Sequence, residues 1–184
     1  MNMNLKDYIA IYNIGNNEFC KKTIDQIKNT EWKKHSYNNP VLNKNTTYDD
    51  DFEISYQSEY VETNLMNFIK KCADDYIKNI CPIPFKLQEL RKIRFNKYEI
   101  GTKMKFHHDH IHTMFDGTKK GVPILTVLGL LNDDFEGGDF LMFDGKKVNL
   151  EAGDVIVFPS NFLYPHAVTT VTKGTRYSFV SWGY

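Results

Sequence analysis

Hydrophobic residues follow two different spacings along the chain, a helical one in the first half and a strand-like one in the second. Between residues 59 and 80, apolar side chains recur every three or four positions, which places them on one face of a helix. These side chains are Leu65, Ile69, Cys72 and Tyr76. Another helix is predicted from Asn16 or Asn17 to about Asn29, since either asparagine can cap it. A short strand is predicted before that helix, at 8–12.

After Pro84 the pattern changes to short apolar runs separated by turn residues. The runs lie at 93–95, 124–131, 140–143, 155–158 and 177–182. The turns between them contain Gly137–Gly138, Asp144–Gly145, Gly153–Asp154 and Lys173–Gly174. Strands at such close intervals predict an all-β sandwich or jelly roll. The expected fold is mainly β with N-terminal helices (α+β), a double-stranded β-helix with both helices packed on the outer face of one sheet.

The part of the chain between the two predicted helices is polar and lacks a regular period. Residues 33–58 therefore predict an irregular surface connection, and their acidic run, Asp49 to Asp51, is expected to be solvated loop. No linker interrupts the chain, and 184 residues amount to about one domain. We predict a single domain over 1–184, with a helical support region at 1–84 and a jelly-roll core at 85–184.

Charge and cysteine content exclude several classes of partner. The chain has 23 basic and 23 acidic residues, so no overall field favours nucleic acid or an anionic membrane. Its three cysteines are odd in number and form no CxxC pair, which argues against a disulfide framework or a structural zinc knuckle. No charged segment leads into a long apolar stretch. We expect a soluble cytoplasmic protein without nucleic-acid or membrane partners; nothing in the sequence indicates its oligomeric state.

A dense group of histidines and one aspartate offers metal ligands. In a strand, His107 and Asp109 would point to one face, whereas His108, His110 and His112 would point to the other. Two histidines with one carboxylate leave three positions open on an octahedral metal, the arrangement of non-heme Fe(II) oxygenases. An all-histidine set would suit zinc better. The same residues also fit a surface strand without any metal.

A distant histidine favours the first ligand set. His166 follows a strand and the kinked segment 158–165, a corner that can turn a side chain into a barrel mouth. Ten positions later comes Arg176, whose guanidinium, once buried, needs a carboxylate to offset its desolvation. An ion pair with a carboxylate of the chain itself would also offset this desolvation. We favour the alternative, in which Arg176 anchors a dicarboxylate co-substrate beside a metal held by His107, Asp109 and His166.

The order of motifs after residue 90 resembles that of a known enzyme family. The motifs are Tyr98 with Gly101, His107 with Asp109, Leu131–Asn132, Glu136–Gly137–Gly138, Gly153–Asp154, His166 with Val168, Gly174 with Arg176, and Trp182. Together they resemble the Fe(II)- and 2-oxoglutarate-dependent dioxygenases, and among these the prolyl 4-hydroxylase-like branch. The resemblance covers roughly residues 90–184.

The resemblance implies a role for each matching residue. His107, Asp109 and His166 would bind Fe(II), and Arg176 would pair with the C5 carboxylate of 2-oxoglutarate. The further candidate co-substrate contacts are Tyr98, Thr126, Ser178 and Trp182. Without the resemblance, the tyrosine reads as a half-buried strand residue, the threonine as an ordinary strand residue and the tryptophan as core.

The implied reaction uses Fe(II), 2-oxoglutarate and O2, with ascorbate as a further candidate cofactor. It hydroxylates an unactivated C–H bond while 2-oxoglutarate becomes succinate. The expected substrate is a prolyl residue in a peptide or protein, and a free amino acid such as proline is its competitor. Residues 110–122 follow the metal carboxylate and contain two glycines, so they are a candidate substrate-facing lid or a long surface turn.

Departures from the family pattern keep other functions open. Met104 stands where the family has a second tyrosine, Leu130 where an aromatic is common, and Arg176 where collagen-type prolyl hydroxylases usually have lysine. A cupin-type metal enzyme would require HxH instead of His107 and Asp109. A nucleic-acid demethylase of the alkylation-repair branch would have arginine at Trp182. A non-catalytic jelly-roll binding module is the remaining alternative.

Overall fold

The computed structural model describes residues 4–39, 44–56, 59–109, 115–116, 119–120 and 122–184. A 3₁₀ turn at Leu5–Tyr8 precedes two helices, α1 at Asn17–Ile27 and α2 at Glu59–Asn79. The strands are β1 Ala10–Asn13, β2 Lys33–Lys34, β3 Tyr37–Asn39, β4 Lys44–Thr46, β5 Glu53–Ser55, β6 Arg94–Tyr98, β7 Met104–His107, β8 Phe115–Asp116, β9 Lys119–Lys120, β10 Leu125–Leu130, β11 Glu136–Gly137, β12 Phe140–Met142, β13 Lys146–Lys147, β14 Asp154–Pro159, β15 His166–Val168, β16 Val171–Lys173 and β17 Arg176–Gly183.

Two antiparallel sheets form the body of the protein. The major sheet has the strand order β1-β14-β10-β17-β6-β5-β2, and the minor sheet has the order β13-β12-β15-β7. Side chains of both sheets form one apolar core cluster that includes Met142, Phe158 and Val180. The predicted turns are also present, since their glycines have positive φ: Gly137, Gly138, Gly145, Gly153 and Gly174. The jelly-roll prediction is therefore confirmed.

Both helices pack on the outer face of the major sheet. Alternate residues of β10, among them Val127, join helix residues such as Leu65 and Ile27 in a second core cluster. The Asn16 side chain accepts a hydrogen bond from the Phe19 amide and caps α1, as predicted. Neither described helix is long and apolar enough to span a bilayer.

The prediction of an irregular connection over 33–58 is wrong. β2 and β5 lie in this segment, and β5 pairs with β6 at the edge of the major sheet. Phe52 is fully buried and Ile54 packs beside it, but two apolar residues in a polar segment give no readable period. Asp51 is also buried rather than solvated, with 3% of its surface exposed. The first half of the chain thus supplies three strands of the major sheet besides its helices.

The predicted lid falls mainly outside the described residues. Only β8 and β9, which pair with each other, and residue 122 belong to the described part of 110–122.

Gly129 allows β10 to pass beneath a phenylalanine ring. It lies opposite Phe179 of β17, and a Cβ placed on Gly129 would lie 2.1 Å from an atom of that ring. The ring is fully buried in the cluster under the helices, so it has no free space to move into. Packing therefore requires a glycine at this position, although glycine is generally disfavoured in the middle of a strand.

We expect Gly129→Ala to lower the free energy of unfolding by about 1–3 kcal/mol, because the added methyl overpacks the core. Urea unfolding of the metal-free protein measures this loss. A second change, Phe179→Leu, should recover part of it, because the two sites are in contact. Purely additive losses in the double variant would contradict the proposed clash.

His35 is a buried histidine beside the interior of the barrel. Its ring stacks on Phe52 at 4.7 Å between centroids, and its Nε2 lies 3.4 Å from Nη1 of Arg94. Because a guanidinium only donates hydrogen bonds, Nε2 acts as the acceptor and the ring is neutral. Burial, followed by the positive charge of Arg94, lowers the pKa of His35 to about 3.

This pKa makes the stability of the fold depend on pH. Between its unfolded value near 6.5 and its folded value of about 3, the unfolded chain binds a proton that the folded chain does not. Stability should therefore fall as the pH drops below 6.5. In His35→Phe the decline in unfolding temperature from pH 7 to pH 5 should be smaller; an identical decline would contradict this role for His35.

Candidate metal centre

The pairing of β7 with β15 brings two histidines together. His107 is the last residue of β7 and His166 is the first of β15, and the two are register partners. Their Nε2 atoms lie 3.6 Å and 3.9 Å from the carboxylate oxygens of Asp109. One ligand atom from each of the three residues lies within 4.8 Å of the other two. The arrangement has the donor atoms and the compactness that a single metal ion requires.

The backbone orients both imidazole rings in the same way. Nδ1 of His107 lies 2.9 Å from the carbonyl oxygen of Lys105, and Nδ1 of His166 lies 3.1 Å from that of Tyr164. Donation from Nδ1–H to these carbonyls leaves the Nε2 lone pairs facing the centre. Burial, followed by the electrostatic effect of the adjacent His166 imidazole, lowers the pKa of His107 to about 4. This histidine is therefore neutral, the metal-binding form, at physiological pH.

A relay of two hydroxyls holds the carboxylate. Thr126 Oγ1 donates to Asp109 Oδ2 over 2.6 Å, and Ser160 Oγ lies 2.8 Å from the same threonine oxygen. Because the threonine proton is committed to the carboxylate, the serine must be the donor to the threonine. Burial alone would raise the pKa of Asp109, but His166, His107 and hydrogen bonds from Thr126 and Trp182 lower it overall. The carboxylate is thus kept ionised for a cation.

The local structure at Asp109 differs from the sequence prediction. β7 ends at His107, so Asp109 lies in a bend and reaches the site without strand alternation. Thr126 donates its hydroxyl proton to Asp109, and its predicted contact with 2-oxoglutarate stays a prediction. The pairing of β10 with β14 and β17 places Thr126 between Phe158 and Trp182, close to Ser160 and Asp109. The alternative ligands His110 and His112 lie outside the described residues.

Arg176 is a buried cation without a carboxylate partner among the described residues. It is 1% exposed, and Nη1 donates to Ser178 Oγ over 2.9 Å. Nε has no hydrogen-bond partner in the described part of the chain. The guanidinium carbon lies 5.1 Å from the ring centre of Tyr98, its register partner, and burial lowers the pKa of Arg176. Such a group fits a carboxylate ligand, which would offset its desolvation.

Two adjoining cavities contain the predicted site residues. The three metal ligands line one cavity together with Tyr98 and Trp182. Arg176 lines a neighbouring cleft of about 450 Å³, and Phe140 lines both. The remaining candidate, Ser178, is held between the arginine and the Asn96 amide, which lies 3.4 Å from its oxygen.

Sequence reasoning missed three contributors to this site. Ser160 follows β14 without any motif, and only the register of β14 with β10 brings it to Thr126. Arg94 and Phe52 line the metal cavity, and neither belongs to the motifs quoted above. The alternation of Arg94, Asn96 and Tyr98 along β6 was the available signal, since it places all three side chains on one face.

Comparison with known proteins agrees with this geometry. A family model described as the 2OG-Fe(II) oxygenase superfamily matches residues 93–184, which is half of the chain. The chain belongs to this superfamily. The match begins one residue before β6 and includes the three candidate metal ligands and Arg176.

Curated relatives of this oxygenase are PKHD-type hydroxylases. The one from Delftia acidovorans is 38% identical over 95 residues, covering 48% of this chain and 41% of the relative. The one from Rippkaea orientalis is 30% identical over 120 residues, covering 63% of this chain and 52% of the relative. The aligned part of the chain therefore spans about half the length, or less, of these relatives.

Solved structures of prolyl hydroxylases share the fold of this oxygenase. A prolyl hydroxylase from Trichoplax adhaerens, in complex with a peptide fragment of the hypoxia inducible factor oxygen degradation domain, gives a TM-score of 0.71 at 18% identity. That alignment covers 97% of this chain and 84% of that one. The 2-oxoglutarate complex of a viral collagen prolyl hydroxylase from Paramecium Bursaria Chlorella virus-1 gives 0.68 at 16% identity, covering 95% and 94%. These two structures confirm the predicted jelly-roll fold.

Membership of the superfamily implies Fe(II), 2-oxoglutarate and O2, as predicted. The donor set suits Fe(II), since it combines two imidazole nitrogens with one ionised carboxylate. Ascorbate stays a prediction.

We expect Thr126→Val to weaken binding of Fe(II), or of Mn(II) as its substitute, by about 10- to 100-fold, because the change leaves Asp109 without its positioning donor. Titration of the metal-free protein with Mn(II), followed by electron paramagnetic resonance, measures the dissociation constant. Thr126→Ser keeps the hydroxyl and should bind Mn(II) nearly as the natural chain does. Equal affinity in all three proteins would show that the hydroxyl does not position the carboxylate.

Proposed function

We propose that this oxygenase hydroxylates a prolyl residue of a peptide or protein, with Fe(II), 2-oxoglutarate and O2. The observation that carries the proposal is the combination of a three-ligand centre within 4.8 Å and a buried arginine that has no carboxylate partner in the described chain. A metal site alone would suit many proteins. A metal site with a fixed cation beside it suits a metal-bound dicarboxylate.

The residues of the chain bind and orient the reactants. Fe(II), 2-oxoglutarate and O2 together supply an oxidant that hydroxylates a C–H bond, while 2-oxoglutarate is decarboxylated to succinate. His107, Asp109 and His166 would hold the metal through three donors on one side, which leaves the other side open. Arg176 would hold the C5 carboxylate of 2-oxoglutarate, with Ser178 fixing the guanidinium and Tyr98 covering one of its faces.

Apolar side chains form part of the wall of the site. Leu128, Phe140, Val168 and Val180 line the metal cavity, and each of them is buried. Phe158 and Phe140 also lie against the His166 ring, with centroids 5.1 Å and 5.7 Å away. This wall would limit reaction of the oxidant with water and strengthen the charge interactions inside.

The prolyl substrate is supported by the proteins that this chain resembles. The two prolyl hydroxylase structures share its fold, and one of them holds a peptide. A free amino acid such as proline is the second candidate, and Arg94 in the metal cavity is the feature that favours it.

Reconstitution under anaerobic conditions tests the activity. The protein would be loaded with Fe(II) and 2-oxoglutarate and then exposed to O2 with proline-containing peptides or free proline, and succinate and hydroxylated product would be measured. We expect succinate to form in step with a hydroxyprolyl product. Asp109→Ala should abolish both, because it removes the carboxylate ligand. Unchanged turnover in Asp109→Ala, or failure to consume 2-oxoglutarate with every substrate, would exclude the proposed function.

We expect Arg176→Gln to weaken 2-oxoglutarate binding by about 30-fold or more, the usual effect of removing one partner of a buried charge pair. The dissociation constant for 2-oxoglutarate in the presence of Mn(II) measures this, without any turnover. Arg176→Lys keeps the charge and should lose less affinity. The proposed role of Arg176 fails if Arg176→Gln binds 2-oxoglutarate as tightly as the natural chain does.

A further inference from the structure

A second arginine points into the metal cavity. Arg94 begins β6 and shares its inward face with Asn96 and Tyr98. It lines the same cavity as His107 and Asp109. The register of β6 with β17 places Arg94 opposite Val180 and Tyr98 opposite Arg176, so the two arginines lie at opposite ends of the β6 strand.

The contacts of Arg94 leave its charge without a counter-ion in the described chain. Nε donates to Asn96 Oδ1 over 3.0 Å, and Nη1 lies 3.4 Å from the neutral ring of His35. The guanidinium carbon lies 4.8 Å from the ring centre of Trp182 and 5.8 Å from that of Phe52. Aromatic faces and an amide oxygen orient the cation but do not neutralise it. No carboxylate of the described residues forms an ion pair with Arg94.

Binding of a metal ion and 2-oxoglutarate to the site would also leave the positive charge of Arg94 without a balancing negative charge. A divalent metal with ionised Asp109 has one positive charge in excess. Dianionic 2-oxoglutarate with Arg176 has one negative charge in excess, so these two groups balance. Arg94 is half-buried and adds a positive charge to this cavity, where partial desolvation makes an unpaired charge unfavourable. An anionic group on a molecule bound in the cavity would balance this charge.

We propose that Arg94 receives a carboxylate of the substrate, so that the substrate class is an anionic prolyl compound. This rests on the proposed function, and it narrows the substrate to molecules with a carboxylate close to the reacting proline. Two sources offer this chemistry: the side chain of a neighbouring acidic residue, or a main-chain carboxyl terminus, which free proline also has. Arg94 is suited to either, because the guanidinium can bind a carboxylate through two parallel hydrogen bonds.

Binding under anaerobic conditions tests this without turnover. The protein, loaded with Fe(II) and 2-oxoglutarate, would be titrated calorimetrically with probes in matched pairs. The pairs are a proline peptide with Glu or Gln beside the proline, a peptide ending in proline as its acid or its amide, and free proline or prolinamide. We expect at least one acid to bind about tenfold more tightly than its neutral partner. The pair that shows the preference identifies the source of the carboxylate.

Variants attribute that preference to Arg94. Arg94→Gln should abolish the preference while leaving the dissociation constant of 2-oxoglutarate unchanged, and Arg94→Lys should keep part of it. Lys97→Gln is the matched control, because it removes one positive charge from the same strand. Lys97 lies on the other face, where it pairs with Glu53 and Glu99, so this variant should keep the full preference. Thermal unfolding of each variant verifies the fold.

Three results would overturn the assignment. The first is that the unmodified protein binds each acidic probe no more tightly than the neutral probe of the same pair. Another is an Arg94→Gln variant that keeps the preference. The third is a parallel loss of 2-oxoglutarate affinity in Arg94→Gln, which would assign Arg94 to the co-substrate. None of these three binding results depends on succinate formation. If the protein showed no hydroxylase activity, the proposed function would be refuted, but its preference for anionic probes could still be measured.

Discussion

The antiparallel pairing of β7 with β15 is the constraint on which the metal centre depends. It joins the end of one strand to the start of another far along the chain and places His107 opposite His166. Each ring then donates Nδ1–H to a carbonyl two residues earlier, so the backbone itself selects the tautomer that presents Nε2. Asp109 completes the set from the bend after β7. A shift of this register by one residue would turn one histidine to the other face of the sheet.

The major sheet supplies the residues that surround this centre. β10 brings Thr126 to the carboxylate, β17 brings Trp182 to it and holds Arg176, and β6 places Tyr98 and Arg94 on the same interior face. The helices stabilise that sheet from outside by burying the alternate residues of its central strands. The residues that pack against the helices and the residues that surround the metal centre therefore lie on opposite faces of the same strands. This is why a strand such as β10 is buried along its whole length.

Much of the fold was readable from the sequence because long elements have a strong period. The apolar positions of α2 and the glycine turns between the strands of the second half predicted the helix, the jelly roll and the side on which the helices pack. Short edge strands were not readable. Phe52 and Ile54 are an alternating pair in a polar segment, and they became part of the sheet only because β6 offers its edge to β5. In the same way, a strand pattern was assumed through Asp109, whereas β7 ends before it.

By itself, the sequence determined the superfamily, the jelly-roll class and the set of groups that could bind a metal and a dicarboxylate. These properties depend on residue types and on local spacing, and both can be observed in the sequence. Only the tertiary structure decided what each group contacts. Thr126 donates to the Asp109 carboxylate, Ser160 donates to Thr126, and Arg94 enters the metal cavity without a counter-ion among the described residues. The physical reason is that strand register and burial determine which distant side chains meet, and neither is encoded in local spacing.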